Sequence, residues 1–283
     1  MPELPEVEIL ARHLNPLLQG HRVRNVRICR ARIVRPGTEA DLNEALRRAR
    51  FTAVSRRGKY LVFELSHGTE KQVLLIGHLG MTGRFFVTRA GRALPKHTAA
   101  IIEMGKRNLV FEDYRYFGRL TLDDSVLAAL GPEPLGAEFT AAYLADALKR
   151  SQQAIKVKLL DQALVAGVGN IYASEALFHA RLAPTLPSRK LTQGQIRQLR
   201  LAIRHVLTKA IQRGSTLPLD YSGSGQRDGL FYFGTAAEAQ AQSEERLQVY
   251  DRAGHHCSRC GTPIQRVVQC GRSTFFCPKC QRR

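Results

Sequence analysis

The chain has 283 residues, with 43 Lys and Arg against 24 Asp and Glu, for a formal net charge of +19 and a pI near 10.3. Hydrophobic residues make up 44% of it, which excludes disordered and collagen-like chains and suits about two domains with real cores. Basic residues spread along the whole length point to a folded cationic surface that meets phosphate backbones.

The opening MPELPEVE carries acids where a secretory signal is basic. No window approaches the roughly 18 unbroken apolar residues that a membrane helix needs. A cytoplasmic protein with no membrane partner is expected. Between Glu3 and Gly20, Val7, Leu10, Leu14, Leu17 and Leu18 recur at helical spacing, with a proline in the first turn; the first element is therefore a helix. From about Val23 to Leu122 the pattern changes to short β-rich runs, RVRNVRI, KYLVFEL, VLLIGHL, RFFVT, AAIIEM and NLVFED. Gly, Pro and charged turns separate them, as in an antiparallel sheet or sandwich.

The stretch LGPEPLGAEF, residues 130–139, ends the β pattern with two Pro and two Gly. Helices are predicted near 140–149, 154–165, 171–181 and 192–213, with the tight turn AGVGN between the second and third. A Gly/Ser-rich, then Ala/Gln/Glu-rich segment runs from Gly214 to about Glu245 and reads as a mobile loop. The fold class is α+β, divided into an N-terminal domain over 1–131, a helical domain over 132–246 and a terminal hairpin over 247–283.

That hairpin holds Cys257, Cys260, Cys277 and Cys280, two C-x-x-C pairs separated by sixteen residues. Each pair turns two thiolates toward one point, and together they make a tetrahedral S4 site for one structural Zn. With every coordination position filled by protein, the metal activates no water. Two disulfides are the alternative, disfavoured in a chain with no secretory signal. Cys29 and Cys270 are left over as ordinary small thiols.

Taken together, PELPEVE, GKYL, HLGMTGRF, DYRYFGRL, GVGNIYASEALF and the terminal GRSTFFCPKCQ closely resemble the bacterial formamidopyrimidine-DNA glycosylases, the Fpg branch of the Fpg/Nei family. The motifs run in order over nearly the whole chain. The resemblance implies a catalytic β-sandwich domain, a helix-two-turn-helix domain with a lesion-capping loop, and a zinc finger. It also implies a bifunctional glycosylase and AP lyase that excises oxidised purines, 8-oxoguanine and formamidopyrimidines, from damaged double-stranded DNA by β,δ-elimination. A monomer associated with the nucleoid through DNA is expected.

An N-terminal Pro2 exposed by removal of Met1 offers a secondary amine. An α-amino group titrates near 7.7–8.0, so roughly a tenth is neutral at pH 7. Such an amine can attack a sugar C1′ and form an iminium. By itself Pro2 reads as a helix-start residue, the commoner role of an N-terminal proline; only the resemblance makes it the nucleophile. It likewise makes Glu3, otherwise a helix-capping acid, the proton-transfer group, and turns Glu6 toward the lesion pocket. Glu8 reads as solvated or structural. Lys59, which alone would be a solvated turn charge, becomes the hairpin lysine that holds a phosphate and assists the chemistry.

An enzyme that extrudes a nucleotide must fill the hole it leaves. Met81, Arg115 and Phe117 match the family's void-filling set, although Met81 and Phe117 alone would be read as core. Asn170, at the start of a helix after GVGN, is both an N-cap candidate and a phosphate contact. Lys156, Arg272 and His78 match further DNA contacts. His97 is a weaker match, because the family's second His is here Ala99. The long stretch between Gly214 and Leu247 departs from the family pattern; within it, residues 221–233 supply Gly hinges and aromatics suited to a lid. Two other readings remain, a Nei-like activity on oxidised pyrimidines and a non-catalytic damaged-DNA-binding protein.

Overall fold

The computed structural model describes residues 2–68, 71–213 and 247–282. They form two units, residues 2–128 and residues 129–213 with 247–282. The terminal hairpin thus belongs to the same unit as the helices.

In the first unit α1 (Leu4–Leu18) is followed by β1 (Asn25–Ile28), α2 (Glu39–Leu46), β2 (Arg50–Arg57), β3 (Tyr60–His67) and β4 (Lys71–His78). Then come β5 (Gly83–Arg89), β6 (Thr98–Glu103), β7 (Arg107–Asp113), β8 (Arg119–Thr121) and the single turn α3 (Ser125–Ala128). The strands make two four-stranded antiparallel sheets, ordered β2-β3-β4-β8 and β1-β6-β7-β5. A run of rings joins their inner faces. Phe51 meets Phe63 at 6.3 Å, Phe63 crosses to Phe85 at 5.3 Å, and Phe85 stacks on Phe111 at 4.3 Å. The apolar stripe of α1, Val7, Leu10, Leu14 and Leu18, is buried in the same core.

The largely β region also contains a helix that the sequence pattern does not single out. Thr38 caps α2 by accepting from the Asp41 N–H, and Asp41 accepts in return from the Thr38 N–H. That T-x-x-D box, with Leu42 and Leu46 buried four residues apart, is the local signal. Strands β2 and β8 also lie outside the β-rich runs of the sequence.

The second unit contains α4 (Ala141–Leu148), α5 (Ile155–Lys158), α6 (Asn170–His179), α7 (Gln193–Gln212) and the hairpin of β9 (Gln265–Gln269) and β10 (Arg272–Phe276). The helix expected over 154–165 is only one turn long. Asp161 diverts the chain by accepting from the Ala163 N–H at 3.0 Å and from Lys158 Nζ at 2.7 Å. The Gln162 side chain closes the next turn, donating to the carbonyls of Leu160 and Val168 and accepting from the Gly167 N–H. Side chains that satisfy nearby backbone groups compete with helix continuation, and the result is a second turn before α6. Helix α6 is buried on every face from Ile171 to Phe178. The loop expected from Gly214 to Glu245, with its lid stretch over 221–233, lies outside the described residues. Among those described, no helix is long and apolar enough to cross a membrane.

Candidate functional site

The site residues of the first unit gather by topology at one end of the sheet β2-β3-β4-β8. Arg57 pairs with Tyr60, so Gly58 and Lys59 form a two-residue hairpin turn. Gly58 has φ 58, the left-handed value such turns demand at their first position. Tyr60 pairs with His78 and His78 with Arg119, which aligns Lys59, His78 and the end of the β7–β8 loop along one rim. Met81 sits in the β4–β5 loop of the same rim.

His78 is a neutral imidazole. Burial, with the charges of Lys59 and Arg119 beside it, lowers its pKa to about 4. Its Nδ1 accepts from the Gly80 N–H at 3.1 Å, so the ring proton resides on Nε2 and His78 offers one uncharged donor. The ring of Tyr60 lies 4.8 Å away and holds its orientation.

Pro2, Glu3 and Glu6 form the buried start of α1. Glu3 is the N-cap, joined to Glu6 in a reciprocal capping box in which Glu6 Oε2 accepts from the Glu3 N–H at 2.8 Å. The capping role and the proposed chemical role therefore fall on one residue, and the box fixes the Glu3 backbone. Glu8 is structural. It accepts from Arg56 Nε at 2.8 Å and from Arg12 Nε at 2.7 Å, while Arg56 Nη1 donates to the Gly58 carbonyl at 3.1 Å. Burial opposes the Glu8 charge, but the two guanidiniums outweigh it and lower its pKa. This relay ties the first turns of α1 to the hairpin that carries Lys59, itself 7% exposed.

Met81 and Phe117 are not core residues. They are 39% and 43% exposed, large apolar groups at loop tips where solvation is unfavourable and insertion into a stack is not. The Arg115 guanidinium lies 5.1 Å from the Phe117 ring centre. His97 packs under the same loop, with its ring 4.7 Å from that of Tyr114 and its Nδ1 3.1 Å from the Tyr116 hydroxyl.

In the second unit Lys156 is buried, 1% exposed, and donates to Asn170 Oδ1 at 2.6 Å and to Thr274 Oγ1 at 3.4 Å. Asn170 Nδ2 donates to the Ser273 carbonyl at 2.9 Å. Gly169, not Asn170, is the N-cap of α6; the Asn170 side chain joins α5 and α6 to β10. Arg272 opens β10, exposed, just after a turn in which Cys270 and Gly271 both have positive φ, 47 and 72, as in a type I′ hairpin.

The four hairpin cysteines fit one zinc ion. Their sulfurs all lie within 4.8 Å of one another, and none is in a disulfide. Cys257 and Cys280 are 3.9 Å apart, and Cys260 and Cys277 3.5 Å. Sulfurs ~2.3 Å from one tetrahedral zinc lie ~3.8 Å apart. Knuckle amides support them, Arg259 N donating to Cys257 Sγ and Cys280 N to Cys277 Sγ. Burial and the three neighbouring sulfurs push the Cys280 thiol up to about 12, a crowding that a divalent cation relieves.

Comparison with known proteins agrees along the whole chain. Residues 1–120 match the family model for the formamidopyrimidine-DNA glycosylase N-terminal domain, 130–219 that for the corresponding H2TH domain, and 254–283 that for the zinc finger found in FPG and IleRS. A formamidopyrimidine-DNA glycosylase of Chloroflexus aurantiacus is 41% identical, the match covering 99% of this chain and 98% of that one. The chain belongs to the formamidopyrimidine-DNA glycosylase family. Among solved structures, a Lactococcus lactis Fpg mutant in complex with Fapy-dG containing DNA aligns with TM-score 0.86 and 33% identity over 100% of both chains. MutM in complex with carbocyclic 8-oxo-G containing DNA aligns with TM-score 0.85 and 33% identity, again over 100% of both.

Within this formamidopyrimidine-DNA glycosylase family member, the motifs do not single out every side chain that shapes the site. Glu175 in α6 is buried, and its carboxylate accepts from the N–H groups of Gln248, Val249 and Tyr250, each at 2.9 Å. Burial raises its pKa even against those three bonds. Glu175 thus anchors the segment that leads into the zinc hairpin; its only sequence signal is an acid inside an apolar helix. Glu175→Ala strands three donors at about 1–3 kcal/mol each, so urea denaturation should find the variant destabilised by about 3–5 kcal/mol. Glu175→Gln, whose amide oxygen still accepts, should recover part of the loss.

Proposed function

We propose that the protein is a DNA glycosylase and AP lyase that removes oxidised purines, 8-oxoguanine and formamidopyrimidines, from duplex DNA in base-excision repair. The observation that carries this reading is the buried Pro2-Glu3 start of α1, tied through Glu8, Arg56 and Gly58 to the hairpin of Lys59, in a chain of this family.

The Pro2 nitrogen lone pair forms a bond to C1′ as the C1′–N9 bond breaks, and the base leaves with the bonding electrons and takes up a proton. Glu3 gives a proton to O4′ as the sugar ring opens, leaving an iminium between C1′ and Pro2. The iminium acidifies C2′. Loss of that proton expels the 3′ phosphate, loss of the C4′ proton then expels the 5′ phosphate, and water releases the sugar fragment from Pro2. Lys59 and the neutral Nε2–H of His78 hold backbone phosphate at the rim, while Glu6 faces the everted base. Met81, Arg115 and Phe117 enter the vacated stack, and His97 contacts DNA beside them. Asn170 and Arg272, the latter presented by the zinc hairpin, bind phosphate from the second unit, and Lys156, too buried to touch DNA itself, acts by holding the Asn170 amide in place. The protein acts as a monomer in the cytoplasm. The net charge of +19 supports a polyanionic partner.

Borohydride trapping on duplexes that carry 8-oxoguanine opposite cytosine, 5-hydroxycytosine or an abasic site tests this reading. The expected result is a covalent adduct with 8-oxoguanine and with the abasic site, mapped to Pro2 by peptide mass. An adduct that favours 5-hydroxycytosine would move the activity to oxidised pyrimidines. Tight binding with no adduct on any duplex would make the protein a non-catalytic binder.

A further inference from the structure

Two connections of the first unit run side by side where the chain crosses between the sheets, β4 to β5 through Met81 and β7 to β8 through Arg115 and Phe117. They touch so closely that a Cβ on Gly80, which has φ 63, would lie 2.6 Å from the Phe117 carbonyl carbon and from the Gly118 nitrogen. One carboxylate organises both loops. Asp113, 0% exposed, accepts on Oδ1 from the Thr82 hydroxyl at 2.7 Å and from the Arg115 N–H at 3.2 Å, and on Oδ2 from the Gly118 N–H at 2.7 Å. Thr82 Oγ1 itself accepts from the Arg115 N–H at 3.0 Å.

The segment 115–118 is thus pinned at both ends by one side chain. Between the pins Tyr116 has φ 54, a left-handed conformation that a bulky residue keeps only when its surroundings impose it. Burying a carboxylate is costly unless converging donors offset it. Here the donors come from the two loops that carry the exposed apolar tips. From this geometry we infer that Asp113, acting through Thr82, is a positioning residue that locks the Met81 loop and the Arg115–Phe117 loop into one insertion unit, so that the three side chains enter the duplex together. The inference deepens the proposed activity and rests on its assignment of those three residues to the vacated stack.

Three variants test it: Thr82→Val, which keeps the volume and removes the hydroxyl, Thr82→Ser, which restores it, and Asp113→Asn. For each, single-turnover excision of 8-oxoguanine is divided by cleavage of a preformed abasic site. Insertion is read separately from 2-aminopurine placed beside an uncleavable abasic analogue. The expected result for Thr82→Val is a fall in the excision ratio of about tenfold or more, the scale of a sub-ångström misplacement, with a weaker 2-aminopurine signal and a melting temperature lowered by only a few degrees. Thr82→Ser returns both readings toward wild type, and Asp113→Asn, which turns two donors toward donors, falls at least as far as Thr82→Val. A Thr82→Val protein with an unchanged ratio and full unstacking overturns the inference, as does a proportional loss of both activities that follows melting temperature. Wild-type protein that unstacks the duplex without excising 8-oxoguanine would sink the proposed activity instead and leave the insertion unit standing.

Discussion

Protein that keeps Met1, or carries one extra residue ahead of Pro2, is expected to give no borohydride adduct and to lose strand cleavage by at least about a thousandfold. The reason lies at one atom. Acylation turns the Pro2 nitrogen into an amide whose lone pair is delocalised into the carbonyl, so it neither attacks C1′ nor carries the positive charge of an iminium. A free α-amine, by contrast, has a sizeable neutral fraction at pH 7 with no help from its surroundings. Pro2→Gly separates loss of the amine from loss of the ring: its primary amine still forms a trappable imine, and a weakened adduct is expected. Intact mass establishes whether Met1 is present, and trapping on abasic duplex then reads the chemistry without base recognition. A Met1-retaining protein that still traps at full rate would move the nucleophile to another amine, with Lys59 the first candidate.

What the sequence makes legible follows from how locally each feature is encoded. Helix α1 is readable because Val7, Leu10, Leu14 and Leu18 repeat on one face and are buried together. The zinc ligands are readable because C-x-x-C is itself the knuckle geometry. Strand β2 is hidden, since Arg50, Thr52 and Arg56 dilute its apolar positions and a bulge between Phe51 and Ala53 shifts the alternation. The 154–165 stretch looks helical by its apolar content, but Asp161 and Gln162 spend their side chains on turns. Met81 and Phe117 resemble core in composition, and only their exposure shows otherwise. Asp113 and Glu175 are hardest to find, because each acts on backbone amides that lie anywhere from two residues away to more than seventy. An acid that serves unmarked N–H groups leaves no spacing to read.

Replacing one zinc ligand is expected to cost far more DNA binding than removing the arginine that the hairpin presents. The hairpin's own core is small, Val249, Ile264 and Phe275 against Phe178 of α6, with Cys257 and Cys277 buried among them. Structural zinc contributes on the order of 10 kcal/mol to such modules, more than this cluster can replace. Without the metal, β10 loses its frame and with it Ser273 and Thr274, the partners of Asn170 and Lys156. A buried ammonium is then left with fewer acceptors, so the damage reaches α5 and α6 as well as the tip. Cys277→Ser should therefore lower affinity for an abasic-analogue duplex by about a hundredfold or more, with zinc lost on metal analysis. Arg272→Ala, which removes the one phosphate contact proposed for the hairpin and leaves the hairpin intact, should cost about tenfold and reduce the salt slope by about one. Equal losses from the two variants would mean that the hairpin contributes its arginine and nothing else. A larger loss for Cys277→Ser, with the α-helical circular dichroism reduced as well, would assign the remainder to the Lys156–Asn170 bridge that the zinc holds in place.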